Sequence, residues 1–486
     1  MTFVRRHDRT PPPGAKMLRQ GNTRSTVLLP GLGVVKLLRR VRTREMLAAL
    51  FAPSAFAREF DLTQTAAAHG IPAPAAVFSA ERRTCGVLRE AALMVEAVPD
   101  AASLQETIEG CFPRPGVERE VRGNVRRLCT KLGSLLARLH KAGGVHGDSS
   151  PDNVLVRGAN RDELVLIDWA FALFADEAPP DGGLARRLRM RGAAERYPFP
   201  ADEIAAALRG YAADGVMSPA FEALRGNDVE RAVNALLQCG APLREMLACL
   251  EGYYRELGLG GAEKRRMVEH IARSFPAALR QSIRRTLRNA DRSSRQTVTV
   301  RRDRILLSYR RSAPPAEARA AFAEDAPTVA GAAVERRDHP EALRVWRNAC
   351  ALARFHLPAR LHLACRSEPG GAGALLLEHA AERFESPAKI SPRRLARFVR
   401  LLHAFGFRFG PCQNDAIIEQ PASLGPFGFR QGSGYVLNDA GAVAFRPEEP
   451  VEDSVRAVAS WVRHVQTEAA AGEFLAQAFE PTRFHL

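Results

Sequence analysis

Residues 146–153 read His-Gly-Asp-Ser-Ser-Pro-Asp-Asn, and Leu-Ile-Asp-Trp follows at 166–169. Asp148, Asn153 and Asp168 thus stand at offsets of five and twenty from the first carboxylate. Phosphoryl transfer from ATP calls for this set. One carboxylate orients the acceptor hydroxyl and takes its proton, while an amide and a second carboxylate hold the magnesium that bridges the phosphates. The apolar run Val154-Leu155-Val156 and the run Leu164 to Ile167 read as two strands. Paired as a hairpin, they would carry Asn153 and Asp168 to one end. The plainer alternative is a polar loop between two strands.

Upstream, Val121 to Lys141 has the periodicity of an amphipathic helix, stopped by Gly143-Gly144. His140 on it reads as a packed structural histidine, and His146 as a brace for the loop. Met17 to Gly21, Thr26 to Leu29 and Val34 to Leu38 read as three strands joined by turns at Gly21–Ser25 and Pro30–Gly33. The Gly21 turn is a candidate cover for phosphates. Lys36 lies on the third strand. Glu59 lies on a helix from Phe56 to His69 that ends at Gly70-Ile71-Pro72. The two are expected to form an ion pair that positions the ATP α/β-phosphates. Leu93-Met94-Val95-Glu96 reads as a strand entering an adenine-binding hinge, with Glu96 at its end.

Downstream of Asp168, a helix is expected from Leu184 to Arg191. No Ala-Pro-Glu anchor follows, which favours a small-molecule or glycan acceptor over a protein one. The span Arg280 to Arg311 is rich in arginine and nearly free of acids. It reads as an exposed helix end and linker, or as a contact to anionic lipid or a phosphorylated substrate.

At 486 residues the chain is long enough for two to four domains. Its net charge of +16 favours an anionic partner, such as an acidic membrane face or a phosphorylated glycolipid. GC-rich coding accounts for surface arginines equally well. Nucleic acid is disfavoured because few aromatic residues interleave with the arginine runs. The eight cysteines include no C-x-x-C pair, so neither zinc nor a dithiol site is indicated. Without a signal-like N-terminus or a long apolar run, a cytoplasmic protein is expected, with peripheral contact to the inner membrane through charge.

The second half echoes the first. Residues 24–40 match 295–311 without a gap, sharing Thr26/Thr297, Val27/Val298 and Arg39-Arg40/Arg310-Arg311. This register puts Lys36 on Leu307; aligning Ile71-Pro72 with Leu357-Pro358 puts Glu59 on Val345, and Leu139-His140 falls on Leu402-His403 and Gly147 on Gly410. Asp148 then becomes Pro411, Asn153 becomes Ala416, and Asp168 becomes Arg446 or a near neighbour. Such a copy would have lost the chemistry.

Lys36 with Arg39-Arg40, Phe56-Ala57-Arg58-Glu59-Phe60, His69-Gly70-Ile71-Pro72-Ala73-Pro74 and the catalytic stretch together resemble the lipopolysaccharide core kinases. Those bacterial enzymes phosphorylate a heptose or Kdo sugar of the inner core. The His-Gly-Asp and Ile-Asp-Trp spellings also resemble aminoglycoside and choline phosphotransferases. The resemblance implies an α+β fold of two tandem protein-kinase-like bilobal domains, each with a small antiparallel β-rich lobe and a mainly helical lobe. The expected boundaries are a tail at 1–16, a catalytic domain at 17–285, a linker at 286–294 and a degenerate domain at 295–486. It further implies ATP and Mg as cofactors, Asp148 as catalytic base, and Asn153 and Asp168 as metal ligands. Lys36 and Glu59 would position ATP, and an anionic glycolipid sugar would be the acceptor. A kinase of small alcohols and a nucleotide-binding scaffold without catalysis stay open as alternatives.

Overall fold

The computed structural model describes residues 14–20, 23–38, 41, 43–50, 53–111, 118–158, 163–176, 197, 199–214, 218–241, 243–293, 297–302, 305–310, 328–329, 332–355, 357, 359, 362–368, 372–377, 391–411, 417–420, 434–437, 439–465 and 467–479. Gly21, Arg39-Arg40, the expected helix Leu184–Arg191 and Ala416 lie outside these residues. Contacts divide the chain into two compact units. One comprises Met1–Thr107, Asn124–Cys239 and Leu243–Ile271, and the other Ile108–Gly123, Gly240–Pro242 and Ala272–Leu486.

The first unit opens with strands β1 (Lys16–Gln20), β2 (Arg24–Leu29) and β3 (Gly33–Leu38), helices α1 (Thr43–Ala48) and α2 (Ala55–Ala68), and strands β4 (Ala76–Thr84) and β5 (Val87–Val95). The antiparallel sheet runs β1-β2-β3-β5-β4. Ser54 caps α2 by accepting the Ala57 N–H at 3.2 Å. The buried stripe of α2 is Phe56, Glu59, Leu62, Thr63 and Ala66, a helical spacing with one acid in its middle. Phe56 packs with Leu38, Leu88, Ala91 and Leu93 of the sheet. That packing delivers Glu59 to the strand that carries Lys36.

There follow β6 (Ala102–Ser103), α3 (Leu104–Cys111), α4 (Glu118–Lys141), β7 (Gly144–Val145), β8 (Val154–Arg157), β9 (Glu163–Leu166), β10 (Leu173–Phe174), and helices α5 (Ala201–Asp214), α6 (Pro219–Gln238), α7 (Leu243–Leu257) and α8 (Gly261–Asn289). Helices α4 and α7 meet backbone to backbone. A Cβ at Gly133 would lie 1.8 Å from the Cys249 carbonyl oxygen, and one at Gly252 would lie 2.0 Å from that of Thr130. Strands β8 and β9 form the hairpin, with Val154 opposite Leu166. The Ile167 N–H donates to the Asn153 carbonyl at 2.9 Å, so Asn153 and Asp168 share one end.

The second unit contains β11 (Thr297–Arg302), β12 (Ile305–Arg310), β13 (Thr328–Val329), β14 (Ala332–Asp338), α9 (His339–Arg354), β15 (His362–Ser367) and β16 (Ala372–Leu377). Then come α10 (Pro392–Ala404), β17 (Phe407–Phe409), β18 (Ile417–Gln420), β19 (Gly434–Leu437), β20 (Val443–Phe445), α11 (Val451–Val465) and α12 (Glu468–Ala478). The antiparallel sheet order is β11-β12-β15-β16-β14-β13. The strand before α9 lies beside β16, and the strand after α9 lies on the other side of β16. That is the β3-β5-β4 arrangement of the first unit, with β13 in the place of β2.

The hairpin β11-β12 is therefore an addition along β15, an edge that is open on β4 of the first unit. This corrects the sequence register that set 24–40 on 295–311. Leu307 lies on β12, two strands from β16 and on the far side from β14. Alternating strand patterns specify which face is buried but not the order of strands in a sheet, so two hairpins can match in sequence and differ in place. The fold is α+β, with two antiparallel sheets each followed by a helical region.

Candidate active site

Lys36 sits on β3 opposite Leu93 of β5. Its Nζ lies 2.5 Å from Glu59 Oε1 and 3.0 Å from Asp168 Oδ1. One ammonium thus ties the sheet, helix α2 and the end of the β8-β9 hairpin together. Burial works to lower the Lys36 pKa, but the two carboxylates carry it above its ordinary value. Burial pushes Glu59 up, opposed by Lys36. Burial also works against the Asp168 carboxylate, yet the Lys36 ammonium outweighs it and holds the acid below its usual range. Asp168 is consequently an anion at neutral pH. Its backbone is left-handed, φ 67° and ψ 59°, a conformation that few residues other than glycine adopt and that Asp tolerates better than most.

Asp148 is half-buried on a loop held from beneath. Asp228, in the middle of α6 and fully buried, accepts the His146 N–H at 2.9 Å and the Gly147 N–H at 3.1 Å. His140 lies 3.2 Å from the same carboxylate and 2.7 Å from the Tyr253 hydroxyl. Ser149 donates to the Asp228 carbonyl at 2.7 Å. Burial holds His140 neutral. Asp228 stays ionised against its burial through the hydrogen bonds from His140 and the His146 backbone. Gly147 adopts φ 73°, and a Cβ there would sit 2.6 Å from the Phe171 carbonyl oxygen. The loop therefore fits only glycine at this point.

Asn153 donates its side-chain N–H to the Asp148 carbonyl at 2.9 Å, which turns its amide oxygen away from that bond. That oxygen and the Asp168 carboxylate are hard donors of the kind magnesium takes alongside phosphate oxygens. Glu96 stands apart from this group. It is exposed beyond β5, and its N–H donates to the Ala75 carbonyl at 2.8 Å. Asp228 escaped the sequence reading. Its signal was an acid at helical spacing from Phe221 and Leu224 on the apolar face of α6.

Residues 35–171 match the lipopolysaccharide kinase (Kdo/WaaP) family. A probable bifunctional tRNA threonylcarbamoyladenosine biosynthesis protein of Methanothermobacter thermautotrophicus is 31% identical over 102 residues, 20% of this chain. The chain spans 18% of that relative's length. Among solved structures, WaaP in complex with acyl carrier protein is 18% identical with a TM-score of 0.34, covering 54% of this chain and 88% of that one. A Stt7 homologue from Micromonas algae soaked with ATP is 18% identical with a TM-score of 0.31, covering 53% and 81%.

The second unit from Ala272 onward lies outside the Kdo/WaaP match, and its corresponding place is furnished differently. Ser454 of α11 accepts the Phe409 N–H at 2.6 Å and lies 2.7 Å from His403 Nε2, as Asp228 does with His146 and His140. Phe409 thus occupies the position of His146, Gly410 that of Gly147, and Pro411 that of Asp148. Asp168 precedes the short helical turn Trp169–Phe171, and Asp439 precedes the turn Ala440–Ala442 in the same way. The acid is therefore retained as Asp439, and Arg446 is not its counterpart. The intervening loop differs in length, which displaced the sequence register. Arg337 of β14 holds Asp439 at 3.0 Å and Glu341 of α9 at 2.8 Å, and it also pairs with Glu335. A guanidinium with three carboxylates stands where Lys36 meets two.

Proposed function

We propose that the first unit is an ATP- and Mg-dependent phosphotransferase acting on a sugar hydroxyl of the lipopolysaccharide inner core. The observation that carries this reading is Lys36 held between Glu59 and Asp168, with Asn153 at the same hairpin end bonded to the Asp148 carbonyl. In this reading Glu59 orients Lys36, and Lys36 takes the α/β-phosphate oxygens. Gly21, outside the described residues, keeps its assignment as a cover for the phosphates, and the chain at Glu96 borders the adenine. Asn153 and Asp168 hold Mg²⁺, which when bound neutralises charge on the phosphate oxygens. Asp148 orients the acceptor hydroxyl and accepts its proton. The family match supports the acceptor class, and the net charge of +16 suits a phosphorylated glycolipid better than a cationic aminoglycoside.

The second unit is proposed to be catalytically inactive and to serve docking or regulation. Pro411 cannot accept a proton, and Arg337 neutralises the acid that would hold a metal. Three measurements test these assignments. Asp148→Ala lowers turnover of Mg·ATP by about 10²–10⁴-fold, and unchanged turnover removes Asp148 from the chemistry. Calorimetry of the full chain with a non-hydrolysable ATP analogue finds one site, which Lys36→Met abolishes; two sites overturn the inactive reading. Mass spectrometry of lipopolysaccharide from a strain lacking the protein identifies the acceptor. An unchanged core sinks the glycolipid assignment.

A further inference from the structure

Helix α8 is long, and its C-terminal part belongs to the second unit. From 272 to 290 the sequence holds five arginines and no acid. At 3.6 residues per turn, Arg273, Arg280, Arg284 and Arg288 fall within an arc of roughly 80° and a length of about 22 Å. Leu279, Ser282 and Ile283 are buried on the opposite side. Arg273, Arg284 and Arg288 are exposed, and Arg280 is half-buried. Arg284 approaches Glu448 at 3.4 Å with both side chains solvated, and the Arg288 Nε–H donates to the Arg284 carbonyl at 3.3 Å. Arg273 and Arg280 have no ion pair among the described residues. None of the four supports the candidate active site.

A row of cations on a helix whose other side is packed presents one basic edge. Its chemistry selects phosphate, because the planar guanidinium fork meets phosphate oxygens bidentately. The arc carries no aromatic side chain on which a base could stack, and Phe275 lies on the opposite side of the helix, half-buried. We infer that the Arg273–Arg288 stripe of α8 docks the chain on an anionic bilayer leaflet through lipid phosphates. This deepens the glycolipid reading by naming how the enzyme would reach a substrate embedded in a leaflet. It also stands apart from that reading, because plain lipid vesicles carry no acceptor sugar.

The experiment is sedimentation of the full chain with vesicles of phosphatidylcholine, alone or mixed with phosphatidylglycerol. The wild type partitions onto the mixed vesicles only, and high salt releases it. Each arginine near an anionic surface contributes about fivefold in partitioning, so the triple variant Arg273→Gln, Arg280→Gln, Arg288→Gln loses on the order of 100-fold. The corresponding triple lysine variant retains most of the binding, which guards against a folding artefact. Glutamine at Arg393, Arg397 and Arg400 of α10 serves as a charge-matched control and loses far less. Turnover of Mg·ATP in solution is unchanged in the α8 variants. Equal losses from both glutamine sets, or full release by millimolar inorganic phosphate, overturn the inference. So does tighter binding of the wild type to single-stranded RNA than to the vesicles.

Discussion

Replacing Asp228 by Asn tests how the loop that carries Asp148 is held. The carboxylate is fully buried and accepts two backbone N–H groups, with His140 on the same oxygen as His146. An asparagine keeps the shape but offers one acceptor, and it turns an N–H₂ toward groups that need an oxygen. Hydrogen bonds to a charged group contribute about 1.5–3 kcal/mol each, and a buried donor left without a partner costs about 1–3 kcal/mol. The variant should therefore be less stable by roughly 3–5 kcal/mol. For a unit of this size the melting temperature falls by about 2–4 °C per kcal/mol, or on the order of 10 °C. Turnover of Mg·ATP should drop by about 10²-fold as the loop shifts. The pH dependence carries a sign. Asp228 is held below its ordinary pKa, so its contribution is complete above the unfolded carboxylate value of about 3.9 and is lost as pH falls through the depressed folded value. The gap between wild type and variant therefore narrows in acid. Calorimetric scans across pH, with turnover beside them, measure all three effects. A variant that melts within about 1 kcal/mol of wild type, and turns over normally, would refute the argument that Asp228 supports the loop.

Gly147→Ala should lower turnover by about 10²-fold, because its Cβ meets the Phe171 carbonyl and its φ is left-handed; kinetics equal to wild type contradict this. His403 is pushed down to about 4 by burial and by Arg408. Its neutral form is the folded one, so the second unit loses about 3 kcal/mol as pH falls from about 6.5 toward 4, and His403→Gln should flatten that slope in urea melts. Arg337→Met leaves Glu335, Glu341 and Asp439 without their shared cation and, since two of the three carboxylates are solvent-screened, should destabilise the chain by roughly 1–2 kcal/mol. Nucleotide stoichiometry in the same variant should stay at one.

The parts of the site that were legible in the sequence are those fixed by short spacing. The β8-β9 hairpin brings Asn153 and Asp168 together across a turn, and a local apolar rhythm announces it. Lys36 and Glu59 were legible because each sits in a recognisable element, a strand and a capped helix. Asp228 was not, since its partners lie some eighty residues away and only the packed α6 brings them near. The second unit was misread at its sheet for a related reason. Hairpin β11-β12 and hairpin β2-β3 share alternation and residues, but pairing partners are chosen by the rest of the sheet. Asp439 was missed because loop length, not residue type, separates it from the position counted along the chain.

Asp168 keeps an unfavourable left-handed backbone, while Asp439 at the matching place rests in an ordinary extended one, φ −105°. A strained conformation persists only where its surroundings hold it in place, and such surroundings are characteristic of working sites. Main-chain angles alone thus distinguish the two corresponding aspartates, in the sense that the proposed division into an active and an inactive unit calls for. The torsion at that one aspartate is a marker, independent of side chains, by which the proposed roles of the two units can be compared.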